Sequence, residues 1–224
     1  GPVVAAGGSD LNRLLTYVHE AFHCLQLDFT VEAERAGRRK NRGRPNPSFE
    51  PTVDSEVYAE LEGEALLRAH RAPDRAAALE HLKDAFVARE LRHKAMPEGA
   101  VVYDVVRTRA EGTATYANIR AALLVQEQGR PRADAGADAS VLDAAYKGLP
   151  AYIQAQTADR LARVKGSSNA SDERLYTYGA YQAMVLDRVF PDWKTGLFED
   201  DRTLDDVLAE RLALTPADRD AAMG

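Results

Sequence analysis

The chain has 224 residues, 45% hydrophobic and 29% charged, with a net charge of −6. This is a globular balance: the acidic sign argues against general nucleic-acid binding, and no apolar run approaches the length of a membrane span. A single cysteine, Cys24, excludes an internal disulfide and leaves cytoplasmic and secreted or periplasmic locations equally open.

Gly1-Pro2 has the form of a tag-protease scar, which leaves room for a natural sequence that begins further upstream. Ser9 or Asp10 is placed to cap a first helix, with Leu11, Leu14, Leu15, Val18, Phe22 and Leu25 as its apolar side, running to about Asp28. Within it lies His19-Glu20-Ala21-Phe22-His23. Positions i and i+4 share a helix face, so both imidazoles can reach one ion, while Glu20 points to the adjoining side and can take a proton from a metal-bound water. Cys24 lies about 100° round the helix from His23, too far to join the same ion, and reads as a buried structural thiol.

A basic loop over 35–51 follows. Arg35, Arg38, Arg39, Lys40, Arg42 and Arg44 put six positive charges into ten residues, either as a solvated loop or as a guide for an acidic substrate or partner. Asp54 or Ser55 starts a second helix through Tyr58, Leu61, Leu66 and Leu67, and Pro73 opens a third that ends before Pro97. His70, His81 and His93 fall on charged stretches of these helices and are expected to face solvent. A long fourth helix is predicted from about Ala100 to Gln128, interrupted by Gly112, and 129–139 reads as a loop. Val141 to Gln156 reads as helix with Pro150 placed to split it. A helix capped by Ser171 or Asp172 ends before Pro191, and Thr203 to Leu214 gives the last substantial one. No alternating strand pattern and no repeat is found, so the chain reads as one mainly α, multi-helix domain over 1–224 with little or no β-sheet.

A zinc ion held by two His needs a third protein donor, and a Glu on another helix is the common solution. Glu60 and Glu62 on the second helix compete with Glu111 on the fourth, and spacing alone does not choose between them.

The His19–His23 motif and two further segments resemble the gluzincin branch of the zincin metallopeptidases, a peptidase-MA-like superfamily. Glu111-Gly112-Thr113-Ala114-Thr115-Tyr116 is similar to that branch's Glu-Gly-x-Ala/Thr-x-Tyr segment, and Tyr176-Thr177-Tyr178-Gly179 to its Tyr-x-x-Gly segment. The resemblance implies that one zinc ion is held by His19, His23 and Glu111. It further implies that Glu20 is the general base, that Tyr176 donates to the oxyanion, and that the substrate is a peptide or protein. Tyr116 and Tyr178 then remain as packing residues. The chain departs from the pattern in four ways. His23 and Glu111 are 88 positions apart, a much longer separation than the family's; Ala110 stands where Asn is usual; and no segment for gripping a free amino terminus is present. Only about ten residues precede the motif helix, where zincins place a small sheet whose edge aligns the peptide. The alternative reading is a non-catalytic helical binding module with a structural or vestigial metal site.

Overall fold

Helices make up nearly all of the structure, a computed structural model that describes residues 6–27, 50–129, 139–164, 171–195, 197 and 202–223. In chain order these are α1 (Ala6–Leu27), α2 (Val53–Arg71), α3 (Arg75–Lys94), α4 (Glu98–Arg107), a π-helical turn (Thr108–Gly112), α5 (Thr113–Gln128) and α6 (Ala139–Gln154). A second π-turn (Ala155–Asp159) leads into α7 (Arg160–Val164), and α8 (Ser171–Val189), α9 (Leu204–Leu212) and α10 (Pro216–Met223) complete the order. No strand occurs among the described residues, as the unbroken helical periodicity leads one to expect. The basic segment Arg35–Arg44 and nearly all of the 35–51 and 129–139 loops lie outside them.

Local chemistry sets the helix ends. The Thr52 hydroxyl accepts from the Ser55 amide at the start of α2, and the Asp74 carboxylate accepts from Ala77 at the start of α3, so each cap lies within two residues of the predicted start. Thr203 and Asp206 form a reciprocal capping box on α9. Pro150 does not split α6, which runs on to Gln154; the irregularity comes just after, in the second π-turn. Helix α10 was not predicted; the short tail after Leu214 gives too few apolar positions for a period to show.

Two apolar clusters hold these helices. The larger gathers Leu66, Leu82, Phe86, Ile119, Tyr181, Leu186 and Trp193 with neighbours from α2, α3, α5, α7, α8 and α9. Each such side chain contributes about 1.5–3 kcal/mol when fully withdrawn from water. Helix α8 runs through its middle, touching α2, α3, α5, α7, α9 and the first π-turn. The smaller cluster is separate: Leu11 and Leu15 of α1 meet Ala122 of α5 and Ala145 and Leu149 of α6. Helix α1 is therefore a flank rather than a core helix. Leu14 and Leu25, expected on its apolar side, are 42% and 49% exposed, because α5 and α6 cover only the arc around Leu11, Leu15 and Gln26. Cys24 is exposed for the same reason, against the expectation of a buried thiol.

Helix α8 crosses the first π-turn at two glycines. A Cβ on Gly179 would lie 2.4 Å from the Thr108 carbonyl oxygen, and one on Gly112 would lie 2.5 Å from Gly179 Cα. Neither neighbour is a side chain that could swing away. Alanine at 179 would gain about 1 kcal/mol of helix propensity, but the clash is with backbone and can be relieved only by separating the two segments. Gly179→Ala is expected to destabilise the fold by about 1–3 kcal/mol net or more, read by chemical denaturation. A variant as stable as the parent would mean that the helices do not cross this closely.

Candidate metal centre

The π-turn is the local feature that builds the site. A five-residue π-turn inserts an extra residue into the helix and so changes which face follows it; such turns are frequent at functional sites. From Thr108 to Tyr116 every residue is buried, a run that an ordinary surface helix would interrupt. Helices α1 and α8 cover two sides. On another side Arg109 is drawn in to donate to the carbonyls of Arg202 (2.8 Å) and Leu197 (3.4 Å). Glu111 is thereby presented to α1 with only 8% of its surface exposed.

Opposite it stand the two imidazoles, one helical turn apart. His19 Nε2 and His23 Nε2 each lie 3.2 Å from Glu111 Oε2 and 3.0 Å from one another. Three donor atoms thus form a nearly equilateral triangle. A tetrahedral zinc with bonds of about 2.0–2.1 Å holds its ligand atoms roughly 3.3 Å apart, so the triangle is within a few tenths of an ångström of a zinc site. Among the described residues no fourth His, Cys, Asp or Glu joins the group. Two imidazole nitrogens and one carboxylate oxygen are donors that zinc accepts.

Each donor has an outer partner. Arg107, one turn before Glu111, donates to its Oε1 at 2.6 Å, which leaves Oε2 as the oxygen facing both imidazoles. The Arg107 guanidinium sits over the rings of Tyr103 and Tyr176, 5.9 and 5.7 Å from their centroids. His23 Nδ1 donates to the Gln26 amide oxygen at 2.7 Å. His19 stacks parallel on the Tyr176 ring, centroids 6.0 Å apart. Burial alone would raise the Glu111 carboxyl. The hydrogen bonds from His19 and His23, the charge of Arg107 and the Tyr176 hydroxyl together outweigh burial and hold that carboxyl well below the usual carboxylate range. The bond to Glu111 in turn raises the His23 pKa against the effect of burial, with help from Gln26 and from the charges of Glu111 and Glu20.

Four of the five residues singled out in the sequence therefore meet here: His19, His23, Glu111 and Tyr176. Glu20 sits on the exposed side of α1, about 100° round from His19. The competing carboxylates do not reach the imidazoles. Glu60 is exposed, and Glu62 is fully buried in another place, where Arg92 Nε donates to it at 2.8 Å and Arg89 at 3.3 Å. Tyr116 and Tyr178 pack as expected: their hydroxyls donate to Asp187 (2.5 Å) and to the Ala59 carbonyl (2.7 Å). The solvent-facing expectation fails for two of the three other histidines. His70 is half-buried against the Tyr181 ring, and His93 Nε2 lies 3.0 Å from Asp104 Oδ1; both were misjudged because the partners, on α8 and α4, are brought in by helix packing. Gln26 and Arg107 were not foreseen. Their one available signal is spacing, since Gln26 follows His23 by three residues and Arg107 precedes Glu111 by four, the intervals that share a helix face.

Comparison with protein families, curated proteins and solved structures gives no match to the chain. No described helix is long and apolar enough to cross a membrane.

Proposed function

We propose that this chain is a zinc-dependent peptidase of the gluzincin type, with His19, His23 and Glu111 holding one zinc ion per chain. One observation carries the reading: donor atoms 88 and 92 positions apart in sequence converge on a triangle of zinc-like dimensions. A zinc ion bound there would supply an acidified water and a Lewis acid for the substrate carbonyl. The remaining work falls to side chains. Glu20, exposed beside the two imidazoles, takes the proton of the attacking water and returns it to the leaving amine. Tyr176 directs its hydroxyl into the site and donates to the carbonyl oxygen as charge develops there; losing one such donor costs on the order of 10²–10³ in rate. Arg107 keeps Glu111 ionised and holds its Oε1 aside.

The test is metal content of the purified protein by elemental analysis, without added metal. About one zinc per chain is expected by the three-donor stoichiometry. Glu111→Ala should lose that zinc, whereas Glu62→Ala should keep it at temperatures where the variant is folded. A chain that takes up no zinc even when incubated with it is the non-catalytic helical module instead.

A further inference from the structure

We infer that Gln26 is a positioning residue that presets His23 to receive the metal and ties that preset to the π-turn. The inference rests on the metal-centre reading above. Gln26 is 3% exposed, and its amide makes three contacts. Its nitrogen donates to the Ala110 carbonyl (2.9 Å) and to the Thr113 hydroxyl oxygen (2.7 Å). That hydroxyl is spoken for as a donor, because it gives its proton to the Arg109 carbonyl at 2.6 Å. Two acceptors therefore face the amide nitrogen, which fixes the amide orientation and aims the oxygen at His23 Nδ1.

An amide oxygen only accepts, so Nδ1 must carry a proton. A neutral imidazole protonated at Nδ1 has its lone pair on Nε2, the atom that faces His19 and Glu111. The Glu111 carboxylate, 3.2 Å from Nε2, is the rival acceptor for that proton, and Gln26, 2.7 Å from Nδ1, is the contact that favours the one neutral tautomer able to bind metal in this geometry. Outer partners of this kind orient a ligand and change metal affinity by about 10–100-fold. The relay also reaches beyond the ligand. Ala110 and Arg109 belong to the π-turn that carries Glu111, so one side chain of α1 registers the His ligands against the element holding the carboxylate.

The experiment uses the full chain in two states. In the metal-free protein, long-range proton–nitrogen NMR taken above the titration of His23 reads its tautomer directly. The parent should show Nδ1–H, and Gln26→Leu should shift the signal toward Nε2–H or a mixture. Zinc affinity, measured against a chromophoric chelator, should fall about 10–100-fold in Gln26→Leu. A parent His23 protonated at Nε2 would overturn the inference, as would a folded Gln26→Leu that binds zinc as tightly as the parent. Should Gln26→Leu fail to fold, the parent spectrum decides alone. Absence of peptide hydrolysis would count against the proposed reaction and leave both of these readouts standing.

Discussion

Glu20→Gln is expected to keep its zinc and lose about 10²–10⁴ in the rate of peptide hydrolysis, the usual worth of a positioned general base. The change is nearly isosteric, and Glu20 is exposed, so the packing of α1 on α5 and α6 through Leu11 and Leu15 is untouched. Neither imidazole relies on Glu20 for a hydrogen bond that orients it; His23 is oriented by Gln26 and faces Glu111. Only the proton acceptor is removed. Turnover of a mixed peptide library, measured together with metal content, separates the outcomes. Full activity with zinc retained would remove Glu20 from the mechanism, and loss of zinc would make it part of the metal's support instead.

Glu62→Ala should produce the largest loss of stability. Glu62 has no exposed surface and lies against Arg89 and Arg92, which are 1% and 2% exposed. Arg92 also makes a two-pronged pair with Asp104, at 2.5 and 3.1 Å, and Arg89 Nε donates to Asp205 at 2.7 Å. Two buried guanidiniums are thus met by three carboxylates, with His93 beside Asp104. Burial disfavours charge on Asp104, yet Arg92 and Arg89 hold its carboxyl well below the usual range, so the group is ionised at neutral pH. Removing Glu62 takes away the acceptor that Arg89 Nη1, Arg92 Nε and Gln182 Nε2 share, in a place water does not reach. Breaking a buried ion pair in this way costs about 3–5 kcal/mol, which for a domain of this size lowers Tm by on the order of 10 °C. Thermal unfolding with Glu62→Gln alongside separates shape from charge and acceptance, since the amide fills the same space but can accept from only one of the two arginines, which meet different carboxylate oxygens. A loss below about 1 kcal/mol, the scale of an exposed pair, would show that the cluster is hydrated.

The sequence made the helices legible because caps and prolines lie where the chain turns: Thr203 and Asp206 bound α9, and Pro73 with Asp74 opens α3. It made half of the site legible as well, since His19 and His23 are neighbours on one helix and need no tertiary knowledge. Glu111 was a different matter. Its 88-residue distance from His23 carries no periodic signal, and on pattern alone Glu62 was its equal. What separates the two carboxylates is their surroundings: Glu62 has arginines from α3, and Glu111 has imidazoles from α1. The π-turn was read only as an interruption at Gly112, because no residue type marks a change from four-residue to five-residue hydrogen bonding. Gln26 and Arg107 escaped notice for a related reason. A Gln or Arg on a helix is usually solvated, and only the packed neighbours reveal a buried or stacked one.

The two imidazoles ride on a helix held by the small cluster of Leu11, Leu15, Ala122, Ala145 and Leu149, whereas the carboxylate belongs to an element crossed by the central helix of the large core. An ion bound between them would bridge two bodies with separate interiors. Its affinity would then contain the work of seating α1, and the seating of α1 would contain the affinity, by an equal and reciprocal amount. Chelation would accordingly act first as the undocking of a flank, with the main bundle left intact.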